Sequence, residues 1–192
     1  IMEFVKSFKQ TKIIKYLFVA LLGSIILAIS SKIRIPFYPV PMTMQTLVVL
    51  MIGIAFGWRL GLATVTLYLF EGIIGLPVFS GTPEKGIGLV YFTGPTMGYL
   101  VGFLPAVFFA GLLKVNYKYN FIHRFVINFF LYAFSVSFIY LFGLIWLANF
   151  VPVEKIWMVG AMPFLLAELL KISILTVFVT FWDRSILSWR SF

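Results

Sequence analysis

Between residues 13 and 182 the chain is a succession of six apolar stretches, separated only by short breaks rich in glycine, proline or charge. They fall at 13–31, 43–57, 60–78, 94–113, 125–150 and 162–182, the second being short for a full crossing. A helix needs about 20 residues to cross the hydrocarbon core of a bilayer. Lipid offers no water to exposed peptide groups, so such stretches must close their hydrogen bonds within helices. The expected fold class is therefore all-α: a polytopic membrane protein with six transmembrane helices, forming a single integral membrane domain over residues 1–192. Composition agrees. Only 11% of residues are charged and the mean hydropathy is +1.07, where soluble domains carry about 25% charge. A soluble globule of this size needs far more polar surface than that.

Charge sets the expected orientation. With the N-terminus inside, the inner side carries Lys6, Lys9, Lys12, Lys15, Arg59, Lys114, Lys118, Arg124, Arg184 and Arg190. The outer side carries only Lys32, Arg34, Lys85 and Lys155, and Lys171 falls within the last span. Excess Lys and Arg mark cytoplasmic loops, so both termini are expected in the cytoplasm. The same rule accounts for the net charge of +9 without a nucleic-acid partner. The basic N-terminal run and the apolar stretch behind it resemble a leader, but no small-x-small site followed by polar sequence is present, and the stretch reads as the first span.

Several chemistries are excluded at once. The chain has no cysteine and one histidine, His123, which removes disulfides, thiolate metal sites and cysteine nucleophiles, and makes zinc or haem unexpected. No glycine-rich loop ending in Lys-Ser or Lys-Thr appears, so this is not an ATPase of that type. No resident cofactor is expected.

Small residues recur every four positions at Gly94, Gly98 and Gly102, at Gly53, Gly57 and Gly61, and at Ala20, Ser24 and Ala28. Such ridges let helix backbones approach closely in lipid, where van der Waals contact drives association. Each ridge serves packing inside the chain or docking of a partner helix. The first helix is the best docking candidate, because its other faces are bulky.

Charges inside spans point to a site. Glu168 and Lys171 in the sixth span are three residues apart, hence on one helix face. Counted from Met162 they lie about 9 and 14 Å below the outer end. An intramembrane ionisable residue normally has a partner or a task. Here the choice is a self-satisfied ion pair, or a pocket reached from outside in which Lys171 meets an anionic group and Glu168 accepts hydrogen bonds. Glu71, near the outer end of the third span, reads as a carboxylate reaching back to the interface.

Both long outer loops look specialised. Pro36, Phe37, Tyr38, Pro39 and Pro41 form a stiff apolar segment, proline fixing φ, that reads as a lid or a rigid connector. Gln45, just beyond it, is expected to face the bundle. The loop over 76–93 mixes glycine with apolar residues, which suits backbone folding back against the outer face, with Phe79, Tyr91 and Phe92 lining a ligand pocket.

Taken in order, Ile35-Pro36, Pro39-Val40-Pro41-Met42-Thr43-Met44-Gln45-Thr46-Leu47, Gly75-Leu76-Pro77-Val78-Phe79, Gly94-Pro95-Thr96 with Gly98-Tyr99-Leu100, Gly143 with Trp146-Leu147, and Pro163-Phe164-Leu165 with Leu169 and Lys171 resemble the BioY family. These are the biotin-specific S components of energy-coupling factor transporters. The resemblance covers essentially the whole chain. Where the family usually has Gly-Asp before the last Leu-x-Lys, this chain has Ala167-Glu168, and Met97 stands where a glycine is frequent. The resemblance implies an S-component-like bundle in the bacterial cytoplasmic membrane. It implies biotin captured from outside and delivered with a separate transmembrane coupling subunit and ABC-type ATPases, and it favours docking of that subunit on the Ala20-Ser24-Ala28 ridge. Read onto biotin's own chemistry, Glu168 would accept from the ureido N–H groups, Lys171 would meet the carboxylate, and Tyr91, Thr82 or backbone N–H near Gly81 would donate to the ureido carbonyl. An S component for another small anionic vitamin is the nearest alternative. An intramembrane enzyme using Glu168 or Glu71 as base lacks a supporting nucleophile or metal set.

Overall fold

A computed structural model of the chain describes the backbone of residues 2–84, 86–112 and 120–186, and the side chains of 13–84, 86–112 and 120–181. Lys85, Lys114, Lys118 and Arg190 lie outside the described residues, and the side chains of Lys6, Lys9, Lys12 and Arg184 outside the described side chains.

The fold is mostly helical. In chain order it comprises α1 (Met2–Lys32), β1 (Arg34–Ile35), β2 (Met42–Thr43), α2 (Gln45–Ile73), α3 (Leu89–Phe92), α4 (Met97–Leu112), α5 (Phe121–Leu147), α6 (Val153–Gly160) and α7 (Met162–Ile186). Four described stretches are long and apolar enough to cross a membrane: Ile13–Lys32, Gln45–Ile73, Phe121–Leu147 and Val153–Phe181. The apolar helix Met97–Leu112 is shorter. Two departures from the sequence reading appear. The first outer loop is not wholly irregular: β1 and β2 pair antiparallel, Arg34 opposite Thr43 and Ile35 opposite Met42. The stretch 151–161, read as a loop, is helical over Val153–Gly160.

The expected second and third spans form one element, α2, that folds back on itself. Gly57 has φ 76° and ψ 169°, outside every helical region. Gln45 Nε2 nevertheless donates to Tyr68 Oη at 2.6 Å, 23 positions away. A straight helix would hold them about 34 Å apart. A Cβ on Gly61 would lie 3.4 Å from Gly53 Cα. Both pairs are centred on residue 57, so α2 is an antiparallel helical hairpin with its reversal at that glycine.

Helix α4 is the centre of the bundle, and glycines on both its flanks set how close its neighbours come. On the α2 side, a Cβ on Gly53 would lie 2.6 Å from Val107 O, and one on Gly111 2.5 Å from Trp58 N. On the α5 side, a Cβ on Gly102 would lie 2.7 Å from Ile139 Cα, and one on Gly98 would strike Phe142 O and Trp146 Cβ. Gly53, Gly61, Gly98 and Gly102 of the two ridges thus work inside the chain, and the buried side chains of Val49, Val65, Phe103, Val107 and Ile139 fill the space between them.

The Ala20-Ser24-Ala28 ridge also faces inward. Ala20 and Ser24 are buried, and Ser24 Oγ donates to Glu71 Oε1 at 2.8 Å. A Cβ on nearby Gly23 would lie 2.6 Å from Thr64 Cγ2 and 3.0 Å from Phe56 Cε2, so α1 lies on the α2 hairpin. In this arrangement the ridge is covered by the chain itself. The face that α1 leaves exposed carries Leu17, Phe18, Leu22, Ile25, Ile26 and Ile29. Glu71, read as reaching toward the interface, is half-buried and held by Ser24.

Nothing stands within 4 Å of a Cβ placed on Gly57, so replacing that glycine tests its backbone conformation alone. Gly57→Ala is expected to destabilise the protein by about 1–3 kcal/mol, seen as a lower melting temperature in detergent. An unchanged melting temperature would mean that the reversal does not need glycine.

Candidate functional site

Proline, strand pairing and helix geometry together bring three irregular segments to one end of the bundle. Pairing of β1 with β2 draws the loop 36–41 into a hairpin. There Pro39 and Pro41 are buried, while Tyr38 is 92% exposed. Phe37 packs edge-on against Phe164 at the start of α7, 5.7 Å between ring centres. Beside this hairpin the loop 78–82 turns inward, and Phe79, 1% exposed, packs against Tyr68, Tyr91 and Phe92. Phe79 can do so because Gly72 has no side chain to meet its ring.

Between these segments and the helices lies a narrow cleft with about 60 Å³ of internal space, below the about 300–1,000 Å³ of occupied small-molecule sites, so a guest must part its walls to enter. Val40, Pro41 and Met42 roof it. Its apolar wall comes from Leu100, Phe103, Ile139 and Phe164, and its polar groups from Thr43, Gln45, Thr46, Ser80, Tyr91, Thr96, Tyr99, Tyr140 and Glu168.

Glu168, on the cleft wall, belongs to a buried charge network. Lys171 Nζ donates to Thr43 O at 2.6 Å, to Glu168 Oε1 at 2.8 Å and to Thr46 Oγ1 at 3.1 Å. Thr46 Oγ1 in turn donates to Glu168 Oε1 at 2.9 Å. An ammonium group has three protons, and all three are engaged. The two charged side chains are 9% and 7% exposed. Glu168 Oε2 differs from its twin: it is buried and has no hydrogen-bond partner. Tyr140, on α5, faces this carboxylate as both an electrostatic and a hydrogen-bonding neighbour, though no short bond to Oε2 forms. A buried acceptor left open at a cleft wall is costly unless something donates to it, so this atom is poised for a ligand's N–H or O–H.

Ser80 Oγ is the second buried polar atom without a partner, and it too belongs to a cleft-lining residue. Its own backbone carbonyl accepts from Tyr91 Oη at 2.8 Å. Burial pushes the Tyr91 phenol above its ordinary range, with Thr96 opposing the shift, so Tyr91 stays a donor at neutral pH.

Of the residues picked out from the sequence, Glu168, Gln45, Tyr91 and Pro41 line the cleft. Lys171 stands behind Glu168, and Phe79, Gly81 and Thr82 are buried behind the wall rather than on it. Thr43, Thr46, Thr96 and Tyr99 were not selected as site residues, although they lie within the sequence motifs at the first loop and at Gly94-Pro95-Thr96. Ser80 and Tyr140 had no distinguishing signal, one being a small polar residue in a loop and the other an aromatic in an apolar helix. Among the described residues, no group of three His, Asp or Glu side chains is placed to hold a metal ion.

Comparison with known proteins bears on what such a cleft receives. The sequence profile of the BioY family matches residues 5–187. A Pyrococcus horikoshii protein described as a probable biotin transporter BioY is 34% identical over 157 residues, 81% of this chain and 85% of its own length. Biotin transporter BioY2 of Lactococcus lactis subsp. cremoris is 33% identical over 176 residues, covering 88% of this chain and 90% of that protein. Among solved structures, the S-component for biotin from an ECF-type ABC transporter superposes with a TM-score of 0.73 at 26% identity, over 91% of this chain and 94% of that one.

Removing Lys171 would strand the Glu168 carboxylate without its cation. Lys171→Met is expected to cost about 3–5 kcal/mol, and adding Glu168→Gln to it is expected to recover most of that loss. Melting of the ligand-free protein in detergent reads both. Equal destabilisation by the single and double variants would show that the pair is not the source of the effect.

Proposed function

The chain belongs to the BioY family, and from that membership we propose that it is a biotin-capturing S component of an energy-coupling factor transporter. It takes biotin into the cleft from the outer side and delivers it with a separate transmembrane coupling subunit and ABC-type ATPases. The observation that carries the reading is Glu168 Oε2, a buried carboxylate oxygen without a partner beside the apolar wall of a cleft.

Biotin's chemistry fits that place. Its ureido N–H groups need acceptors, and Glu168 Oε2 is one. Its thioether ring needs apolar surface, which Phe103, Ile139 and Phe164 supply. The lid is the loop of Pro36, Phe37, Tyr38, Pro39 and Pro41. Lys171 pairs with Glu168 and orients it. A ligand carboxylate reaches Lys171 only by taking the place of Thr43 O or Thr46 Oγ1, so in this reading Lys171 acts first through Glu168. Gln45 and Tyr91 line the same space, and Phe79, Gly81 and Thr82 support it from behind.

The site has an orientation within the membrane. We read the chain as a single multi-pass domain of the cytoplasmic membrane, with six crossings and both termini inside. The α2 hairpin supports the count, because its two arms run in opposite directions. Its turn carries Arg59 beside Trp58, 5.0 Å from the ring centre, as a cytoplasmic turn would.

Two measurements test these readings. Membranes containing the protein are expected to retain labelled biotin in preference to other small anionic vitamins. Glu168→Ala should weaken that retention about tenfold or more, as expected for a lost hydrogen bond to a charged group. Retention at the parent level by Glu168→Ala or by Lys171→Ala would overturn the site. Because the sequence contains no cysteine, single cysteines report topology directly. Tyr38→Cys should react with an impermeant thiol reagent added outside intact cells, and Arg59→Cys only after the membrane is opened. The reverse pattern would invert the orientation.

A further inference from the structure

The loop 78–82 brings Ser80 to the cleft, and its backbone is held in an unusual way. Its carbonyls point at side chains from three different helices. Ser31 Oγ at the end of α1 donates to Val78 O at 2.7 Å, and Tyr68 Oη of α2 donates to the same oxygen at 3.1 Å. Tyr91 Oη of α3 donates to Ser80 O at 2.8 Å. Lys32 Nζ, one residue beyond Ser31, donates to Phe79 O at 2.9 Å, to Thr82 Oγ1 at 3.0 Å and to Thr82 O at 3.3 Å. One ammonium group thus spans the loop from Phe79 to Thr82, across the residue whose hydroxyl lacks a partner.

These bonds differ in how easily they open. Ser31, Tyr68 and Tyr91 are buried, whereas Lys32 is exposed on a flexible stem. Among the described residues its ammonium group is held by these three acceptors, with the Glu84 carboxylate and the Arg34 guanidinium acting on it from a greater distance, and a charged donor makes stronger bonds than a neutral one. We propose that Lys32 is a latch: its ammonium group closes the loop 78–82 over the cleft, holds Ser80 against the bound ligand, and must let go for the ligand to leave. Lys32 is a positioning residue in this scheme, and Ser80 Oγ is the group it delivers to the ligand. The identity of that ligand rests on the biotin reading above; the latch itself does not.

The test therefore includes one arm without ligand. In the cysteine-free chain, Ser80→Cys places a thiol at a position only 4% exposed, and its labelling by a small thiol reagent reports opening of the loop. Adding Lys32→Met keeps the apolar stem and removes the ammonium group. It should speed labelling about tenfold, in line with the loss of bonds to a charged group, while Lys32→Arg stays near the parent rate. Thr82→Val removes one of the three acceptors and should give a smaller acceleration, and it serves if Lys32→Met does not fold. In the second arm, with Ser80 restored, Lys32→Met should release labelled biotin about tenfold faster with little change in its association rate. Its effect should not add to that of Ser80→Ala, because the two act through one contact. Equal labelling rates with and without the ammonium group would overturn the latch, and so would parent-like biotin release from Lys32→Met. If the parent protein retained no biotin while Lys32→Met still accelerated labelling, the latch would stand and the ligand assignment would fall.

Discussion

Backbone that leaves a helix near the membrane must find hydrogen bonds within the protein, and that requirement organises the whole ligand-facing end of this molecule. Lipid cannot supply donors or acceptors, so each irregular segment beside the cleft is tied by side chains from the helices. Tyr68 reaches Val78 O, Tyr91 reaches Ser80 O, Tyr99 reaches Gly160 O, and Trp146 reaches Gly94 O. Each of these is an aromatic donor with an apolar body and one polar tip, the kind of side chain that sits at such a boundary without a desolvation penalty. Two lysines do the same with more force. Lys171 holds Thr43 O behind the first loop, and Lys32 holds Phe79 O and Thr82 O behind the second.

This arrangement explains why the cleft is polar only in places. Donors are consumed by loop carbonyls, and what is left over is what can recognise a ligand. Lys171 has no spare proton, and Tyr91 has given its hydroxyl to Ser80 O. Gln45 has given its amide to Tyr68. Among the described, fully buried side-chain atoms, Glu168 Oε2 and Ser80 Oγ are left without a partner, and the hydroxyls of Thr96 and Tyr140 also line the cleft. A charged carboxylate oxygen is acceptor-only, so one part of the site demands a donor from its guest, while the Ser80 hydroxyl accommodates either role.

Much of this was legible in the sequence. Hydropathy located the apolar stretches, glycine spacing located the close packing around α4, and the isolated charges of Glu168 and Lys171 located the charged wall of the cleft. Hydropathy could not show that 43–57 and 60–78 form one element reversing at Gly57, because a break between two apolar runs looks the same whether or not helix continues on both sides of it. The face on which Ala20, Ser24 and Ala28 are used was equally hidden. Small residues at every fourth position fit a neighbour from the same chain as well as one from another, and only the Ser24–Glu71 bond settles that α2 is the neighbour here. The roles of Phe79 and Thr82 were misjudged for a related reason. Apolar and hydroxyl side chains in a loop suggest a pocket lining, but in this loop the backbone turns its carbonyls to side chains of α1, α2 and α3 and buries those side chains behind the wall.

The same geometry gives α1 a place in the ligand site that its packing alone would not predict. Among the described residues, α1 packs mainly against the α2 hairpin, and its far face is apolar and uncovered. It lines no part of the cleft. Yet its last two residues hold Val78, Phe79 and Thr82, so the wall that carries Ser80 is fixed in space by the end of α1. A helix is stiff along its axis, and the bond from the short, buried Ser31 side chain to Val78 O at 2.7 Å tolerates a displacement of only a fraction of an ångström before it lengthens past use. Any shift of α1 along the α2 hairpin is therefore transmitted to the loop, and from the loop to the cleft. The inward ridge resists such shifts, because Ser24 is registered on Glu71 and Gly23 on Thr64 and Phe56. Ligand retention and the seating of α1 are consequently one mechanical problem.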